Sequence, residues 1–201
     1  MNYQVVLDET LKSLEGVSKL LLHACCAPCS SYVIEYLSNY FEITIFFYNP
    51  NIDGEIEYNK RLKELERFIK EFKTKYPVHL VNKEYHHEEF LELAKGLENA
   101  PERGSRCLKC YEKRLEESFL YAKENHFDYI TTTLTLSPHK NSQVINEIGK
   151  KLEEKYHFPY LYSDFKKKEG YKRSIVLSKE YHLYRQDYCG CEFSKKRKKD
   201  E

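Results

Sequence analysis

Apolar positions along this chain switch between two periods, and the switches divide it into elements. Residues 5–15 place apolar side chains three and four apart, as on one face of a helix. Residues 19–24, with Leu20, Leu21 and Leu22 in succession, form a short apolar run that reads as a buried strand and leads directly into Cys25 and Cys26. Helical spacing returns after Pro28 and Ser30, at Tyr32, Val33, Tyr36 and Leu37. Residues 42–48 are rich in β-branched and aromatic side chains and end in Asn49-Pro50-Asn51, a second strand with its turn. A long charged helix is predicted over 55–76, a third strand over 78–81 and a short helix over 87–97. His86 and His87 mark the start of that helix. Pro101 and Gly104 make 98–106 a loop, which delivers Cys107 to the start of a helix over 107–125. A fourth strand is predicted over 128–133, an exit loop over 134–139, a helix over 142–156, a fifth strand over 158–162 and a last helix over 170–181.

Strands separated by helices of this length pair in parallel, because a parallel connection needs a crossover. The expected fold is a single α/β domain over 1–194 with a doubly wound, mostly parallel sheet of about five strands, followed by a basic tail over 195–201. In such sheets ligands gather beyond the carboxyl ends of the strands, where the strand order reverses. The first strand ends at the first cysteines, so a site is expected there.

The chain's 201 residues are 41% hydrophobic and 32% charged, within the range of a globular domain with one core. Lys and Arg total 33 against 32 acids, so net charge by itself does not mark a nucleic-acid binder. The distribution is less even. Lys166, Lys167, Lys168, Lys172 and Arg173 cluster, and residues 195–199 are all Lys or Arg. No apolar run is long enough for a membrane span, and the first residues lack the basic start and apolar stretch of a signal peptide. A cytoplasmic protein is expected.

The chemistry lies in seven cysteines, all in three short clusters: Cys25-Cys26-Ala27-Pro28-Cys29, Cys107-Leu108-Lys109-Cys110 and Cys189-Gly190-Cys191. Their odd number and the adjacency of Cys25 and Cys26 argue against a disulfide framework. Thiolates select zinc and iron centres. Seven exceed one four-coordinate ion and suit an iron–sulfur cluster, which takes about four, with the remainder beside it. A structural zinc site is the alternative. Cys107 and Cys110, three apart at a helix start, face one side, where the helix N-terminus favours thiolate.

Together, Leu22-His-Ala-Cys-Cys-Ala-Pro-Cys-Ser30, Tyr48-Asn-Pro-Asn51, Arg106-Cys-Leu-Lys-Cys-Tyr111, Thr131-Thr-Thr-Leu134 with Ser137-Pro138, and Tyr184-Arg-Gln-Asp-Tyr-Cys-Gly-Cys191 resemble the QueH family. These are cobalamin-independent epoxyqueuosine reductases, once a family of unknown function. The resemblance runs from about Lys19 to Ser194. It implies a nucleotide-hydrolase-like, Rossmann-related fold and the last step of queuosine synthesis, removal of the epoxide oxygen of epoxyqueuosine at the wobble position of tRNA. It also implies a [4Fe-4S] cluster with an adjacent mononuclear iron. Relatives of the fold that activate tRNA with ATP carry a Ser-Gly-Gly-x-Asp-Ser loop after the first strand, and here Cys-Cys-Ala-Pro-Cys-Ser stands there, without glycines to cradle phosphate.

Splitting adjacent or near-adjacent thiols between two centres assigns Cys26, Cys107, Cys110 and Cys191 to the cluster and Cys25, Cys29 and Cys189 to the second iron. Asp187, Tyr48, His23 and Tyr111 are candidate proton donors, each with hydrogen bonding around the centre or core packing as its alternative. Tyr184, Arg185, Gln186, Lys172 and Arg173 are candidate substrate-binding residues. The basic clusters would hold tRNA phosphates and tyrosines would stack on bases, although charge runs also serve simply as solvated faces. An external electron donor is expected. Two other functions fit the same residues: cluster-dependent sulfur transfer to tRNA, and a zinc-stabilised RNA-binding module without catalysis.

Overall fold

The computed structural model describes residues 1–196, with side chains through Lys195. Of the basic run at 195–199, Arg197, Lys198 and Lys199 lie outside the described residues. The elements are α1 (Tyr3–Lys12), β1 (Ser18–His23), α2 (Ala27–Leu37), β2 (Phe41–Phe47), α3 (Glu55–Glu71), β3 (Val78–Asn82), α4 (His87–Ala94), α5 (Ser105–Glu124), β4 (Tyr129–Thr132), a 3-10 turn (Thr133–Leu136), α6 (Ser142–Tyr156), α7 (Gly170–Glu180) and α8 (Glu192–Lys196).

The sheet has four strands in the order β3-β2-β1-β4, every pair parallel. Both central strands are buried on two faces, as parallel strands under helical crossovers must be. Their side chains sort by the period of two. Leu20 and Leu22 of β1 and Ile43, Ile45 and Phe47 of β2 enter the layer with α2, α3 and α7. Leu21 and Phe46 enter the opposite layer with α5 and α6. Leu20, Leu21 and Leu22 are all completely buried, each contributing about 1.5–3 kcal/mol. A one-residue slip of β1 would exchange the two layers, so its register is the most firmly held.

Three expectations are corrected. The sheet has four strands, not five: residues 158–162 make only an isolated parallel bridge between Tyr160 and Ile130. Side chains take the polar groups that would extend the ladder. Thr131 Oγ1 donates to the Leu161 carbonyl (2.8 Å), Glu153 accepts from the Tyr160 N–H (2.9 Å), and Asn146 bonds both N–H and C=O of Ser163. The predicted exit loop begins instead with the 3-10 turn, capped by Thr132 Oγ1 accepting from the Leu134 N–H. The long helix stops at Glu71, because the following residues must bring the Pro77 carbonyl onto the Ile43 N–H (3.0 Å) to start β3 beside β2.

β1 has β2 on one side and β4 on the other. The crossover helices therefore diverge at its carboxyl end and leave a crevice there. Cys25, Cys26 and Cys29 occupy it. Among the described residues no helix is long and apolar enough to cross a membrane.

The bridged segment is held by close packing on α6. A Cβ built at Gly149 would lie 2.3 Å from the Tyr160 ring, and Tyr160 stacks in turn on Phe119. Gly149→Ala is expected to destabilise the fold by about 1–3 kcal/mol through overpacking, read as a lowered urea midpoint. An unchanged midpoint would remove this contact as the support for 158–162.

Candidate metal centre

The first thiol cluster is a direct product of β1 ending at His23. The Ala24 N–H still bonds the Phe46 carbonyl (3.2 Å), while its own carbonyl accepts from Asn49 Nδ2 (2.9 Å). The chain then turns, Cys26 in extended backbone caps α2, and Cys29 lies in the helix's first turn. The three sulfurs lie within 4.8 Å of one another, with Cys25 Sγ and Cys26 Sγ 3.8 Å apart. Hydrogen bonds from Cys26 and Cys29 hold the Cys25 thiol well below its ordinary pKa. The same contact pushes Cys26 up to about 12 and Cys29 well above the normal thiol range. The arrangement favours a thiolate at Cys25 over one at Cys26 or Cys29. Thiolates at about 2.3 Å from one tetrahedral ion stand roughly 3.8 Å apart, so this triad has the spacing of a single-ion site.

The other four thiols converge from α5 and the chain just before α8. Cys107 and Cys110 lie one turn apart at the start of α5, and the Arg103 N–H donates to Cys107 Sγ (3.3 Å). Burial raises both thiols, Cys110 to about 12, with the charges of Cys189 and Cys191 acting in the same direction. Cys110 and Cys191 pack together beside Phe90 and Ala94. Burial also raises Cys191, whose thiol donates to Ser194 Oγ (3.6 Å). Gly190 makes the Cys189–Cys191 turn possible. Its φ of +129° belongs to glycine, and a Cβ there would meet Arg61 Nη1 at 3.2 Å. The turn is fastened by the Asp53 N–H donating to the Gly190 carbonyl (2.9 Å) and by Arg61 Nη1 donating to the Cys189 carbonyl (3.3 Å).

Three cations that sequence reasoning did not single out surround these thiols. Arg114, on α5 and 1% exposed, donates from Nη2 to Asn49 Oδ1 (2.7 Å) and from Nε to His23 Nε2 (3.3 Å). Burial disfavours its charge, but Cys110, Cys25 and Cys189 more than offset this. Arg61, equally buried, pairs through Nε with Glu57 (2.7 Å), and its Nη2 has no acceptor among the described residues. It lies close enough to Cys26 and Cys25 for their charges to raise its pKa against burial. Lys140 lies near Cys189, Tyr111, Cys25 and Cys29, and negative charge on the sulfurs favours its protonated form against burial. Arg114 was legible in principle, since it falls four residues after Cys110 on the same helical face. Arg61 sits on the long charged helix predicted over 55–76, where nothing local sets it apart from the other charges, and Lys140 carries no local signal.

A cleft of about 630 Å³ opens over Cys25, Cys29 and Cys189. Asp187, Gln186 and Arg185 line it, together with Lys140, His139 and Tyr171. Gln186 Oε1 is buried and has no hydrogen-bond partner among the described residues. Tyr111 is buried close to Lys140, Cys189, Cys107 and Cys110, and burial keeps its hydroxyl protonated. Tyr111 and the remaining candidates lie outside the cleft lining. His23 is wholly buried, its Nδ1 2.9 Å from Thr132 Oγ1, and burial together with Arg114 lowers its pKa to about 3. Tyr48 donates to Glu89, and Tyr184 donates to Glu57. Lys172 pairs with Glu169, and Arg173 chelates Glu35 (2.9 Å from Nε). Lys166 and Lys168 are likewise paired, with Asp164 and Asp8. His86 stands at the start of α4 as expected, and His87 Nδ1 contacts the Pro50 carbonyl (2.7 Å).

Comparison with known proteins bears on this site. The sequence profile of the family described as Epoxyqueuosine reductase QueH matches residues 20–197. A protein of that name from Staphylococcus epidermidis is 44% identical, over 96% of this chain and 84% of its own length. One from Streptococcus pyogenes serotype M1 is 42% identical, over 98% and 79%. One from Thermotoga maritima is 35% identical, over 87% and 89%.

The glycine between Cys189 and Cys191 gives a direct test of the centre. Gly190→Ala forces a β-carbon into positive φ, at about 1–3 kcal/mol, and against Arg61. Metal retained after anaerobic reconstitution is expected to fall by more than half while the far-ultraviolet dichroism stays native. Full retention would mean the turn does not position its thiols for metal.

Proposed function

This chain belongs to the QueH family of epoxyqueuosine reductases, and from that membership we propose that it deoxygenates epoxyqueuosine at the wobble position of tRNA. It is an oxidoreductase. Both C–O bonds of the epoxide break, a C=C bond forms, two electrons and two protons enter, and the oxygen leaves as water. The observation that carries the reading is the convergence of three thiol segments at the switch in strand order, where Cys25, Cys29, Cys189 and Lys140 line one cleft, with Cys26 near Arg61 and Cys110 near Arg114.

The donor set fits a [4Fe-4S] cluster with an iron beside it. All seven ligands are soft sulfurs, and a buried Arg114 without a carboxylate partner calls for an anionic centre. The geometry favours Cys25, Cys26 and Cys29 as holders of the single iron and Cys107, Cys110, Cys189 and Cys191 as holders of the cluster. The division expected from sequence differs by exchanging Cys26 and Cys189. When bound, these groups supply single electrons and a Lewis acid.

The protein's own residues do the rest. A cleft of this volume suits one nucleoside drawn out of the anticodon loop. Gln186 Oε1 offers it an unused acceptor, and Arg185 at the wall attracts the adjoining phosphate. The Lys140 ammonium draws the epoxide oxygen toward the thiol floor and stabilises the charge it gains as the C–O bonds break. Tyr111, kept protonated, and Asp187 at the cleft wall are positioned to pass protons to it. Electrons come from an external reductant, and the reaction takes place in the cytoplasm with the tRNA pool.

Anaerobic reconstitution followed by iron and sulfide analysis tests the centre. About five irons and about four sulfides per chain are expected; stoichiometric zinc without sulfide would overturn the redox reading in favour of a structural site. On the geometric division, Cys189→Ala loses the sulfide while Cys26→Ala keeps it and loses about one iron. The reverse pattern would support the sequence-based division. With dithionite and epoxyqueuosine-containing tRNA, Lys140→Met is expected to lower kcat about 10²–10³-fold with the sulfide content unchanged. A wild-type rate in that variant would remove Lys140 from the chemistry.

A further inference from the structure

Arg114 is an unusual buried cation. Its guanidinium is inside the protein, yet its hydrogen-bond partners among side-chain nitrogens and oxygens are neutral, His23 and Asn49, and it makes no ion pair with a carboxylate among the described residues. A buried charge is costly unless it is paired, so a guanidinium whose nitrogen and oxygen partners are neutral calls for an anion close by. The thiols of Cys110, Cys25 and Cys189 lie near it, and negative charge on those sulfurs favours the guanidinium.

Its neighbours are arranged to hold it as a fixed point charge. A guanidinium only donates, so His23 Nε2 is the acceptor and the ring proton sits on Nδ1, where it donates to Thr132 Oγ1 (2.9 Å). The Tyr48 carbonyl, 3.2 Å from Nε2, is then a contact between two acceptors. Thr132 is fixed in turn by the Leu134 N–H (3.1 Å), and Asn49 by the Ala24 carbonyl (2.9 Å). Both anchors belong to the backbone around the ends of β1 and β4. The charge therefore cannot swing away when the sulfur centre changes its own.

We propose that Arg114 is a positioning residue whose fixed charge raises the reduction potential of the thiolate-held centre. Each electron added makes the centre more negative, and a cation at short range in a dry site stabilises the reduced state more than the oxidised one. His23 and Asn49 serve by holding the guanidinium, not by exchanging protons with substrate. The inference rests on the reading that the thiols carry an iron–sulfur centre.

The test is a spectroscopic redox titration of reconstituted protein, with iron and sulfide measured on the same samples. Arg114→Gln keeps donors but loses the charge, and Arg114→Lys keeps the charge but loses the fork. At the wild-type midpoint, the reduced-to-oxidised ratio is expected to fall at least about tenfold in Arg114→Gln, corresponding to about 59 mV for one electron, and to return toward one in Arg114→Lys. A purely structural role would rank the two variants by hydrogen bonding and leave the potential alone. Should Arg114→Gln fail to fold, Asn49→Asp supplies the second arm, placing a carboxylate at the atom that now accepts from Nη2 and cancelling the charge in place. It too is expected to lower the potential. Unchanged potentials in iron-loaded Arg114→Gln or Asn49→Asp would overturn this inference alone, whereas wild-type protein holding no iron and sulfide would overturn the reading beneath it.

Discussion

The structure depends on reconciling a concentration of negative charge with a dry interior. Seven thiols meet at one crevice, and burial by itself drives them toward the neutral form, as Cys110 shows. In the triad the conflict is eased by sharing, with two thiols donating to a third. Elsewhere it is eased by Arg61, Arg114 and Lys140, whose charges survive burial because of the sulfurs beside them. A carboxylate partner for Arg114 would have satisfied the cation and left the thiols uncompensated.

Backbone geometry brings the groups within reach. The triad follows directly from a strand end meeting a helix start, the place where a doubly wound sheet opens. Cys107 and Cys110 arrive on a long helix whose packing against α6 and the sheet fixes their depth. Cys189 and Cys191 come from the end of the chain and are held by a positive-φ glycine, Asp53 and Arg61. Arg61 thereby does two things, anchoring the last turn through the Cys189 carbonyl and countering the charge of the first cluster. Arg106 serves a related purpose, tying residues 97–100 through three carbonyls so that α5 starts where it does.

The paired state of the basic segment separates two kinds of positive charge. Lys166, Lys168, Lys172 and Arg173 all have carboxylates within their reach, so their charge is largely spent on the surface of the fold. Lys140 and Arg185 face the cleft, and the thiols of Cys189, Cys25 and Cys29 lie near Lys140. Phosphate attraction at the cleft mouth therefore falls to few residues, and much of the hold on an RNA is left to shape and stacking.

Much of the fold was legible because its signals are local. Apolar runs, helical spacing and the Asn49-Pro50 turn mark β1, β2, α2 and α5 within a window of a few residues, and the cysteine spacing marks the three thiol segments. The fifth strand failed because its sequence is strand-like while its hydrogen bonds are taken by Asn146, Glu153 and Thr131, partners that no window around 158–162 contains. Arg61 and Lys140 were missed for the same reason, their importance being defined by sulfurs far away in sequence. By itself, then, the sequence determined the parallel α/β architecture, the thiols available to the site and the edge of the sheet where the first of them lie. Only the tertiary structure decided which thiols are neighbours, which cations balance them and which candidate side chains face the cleft, because charge compensation depends on distance in space and falls off too steeply to be read from distance along the chain.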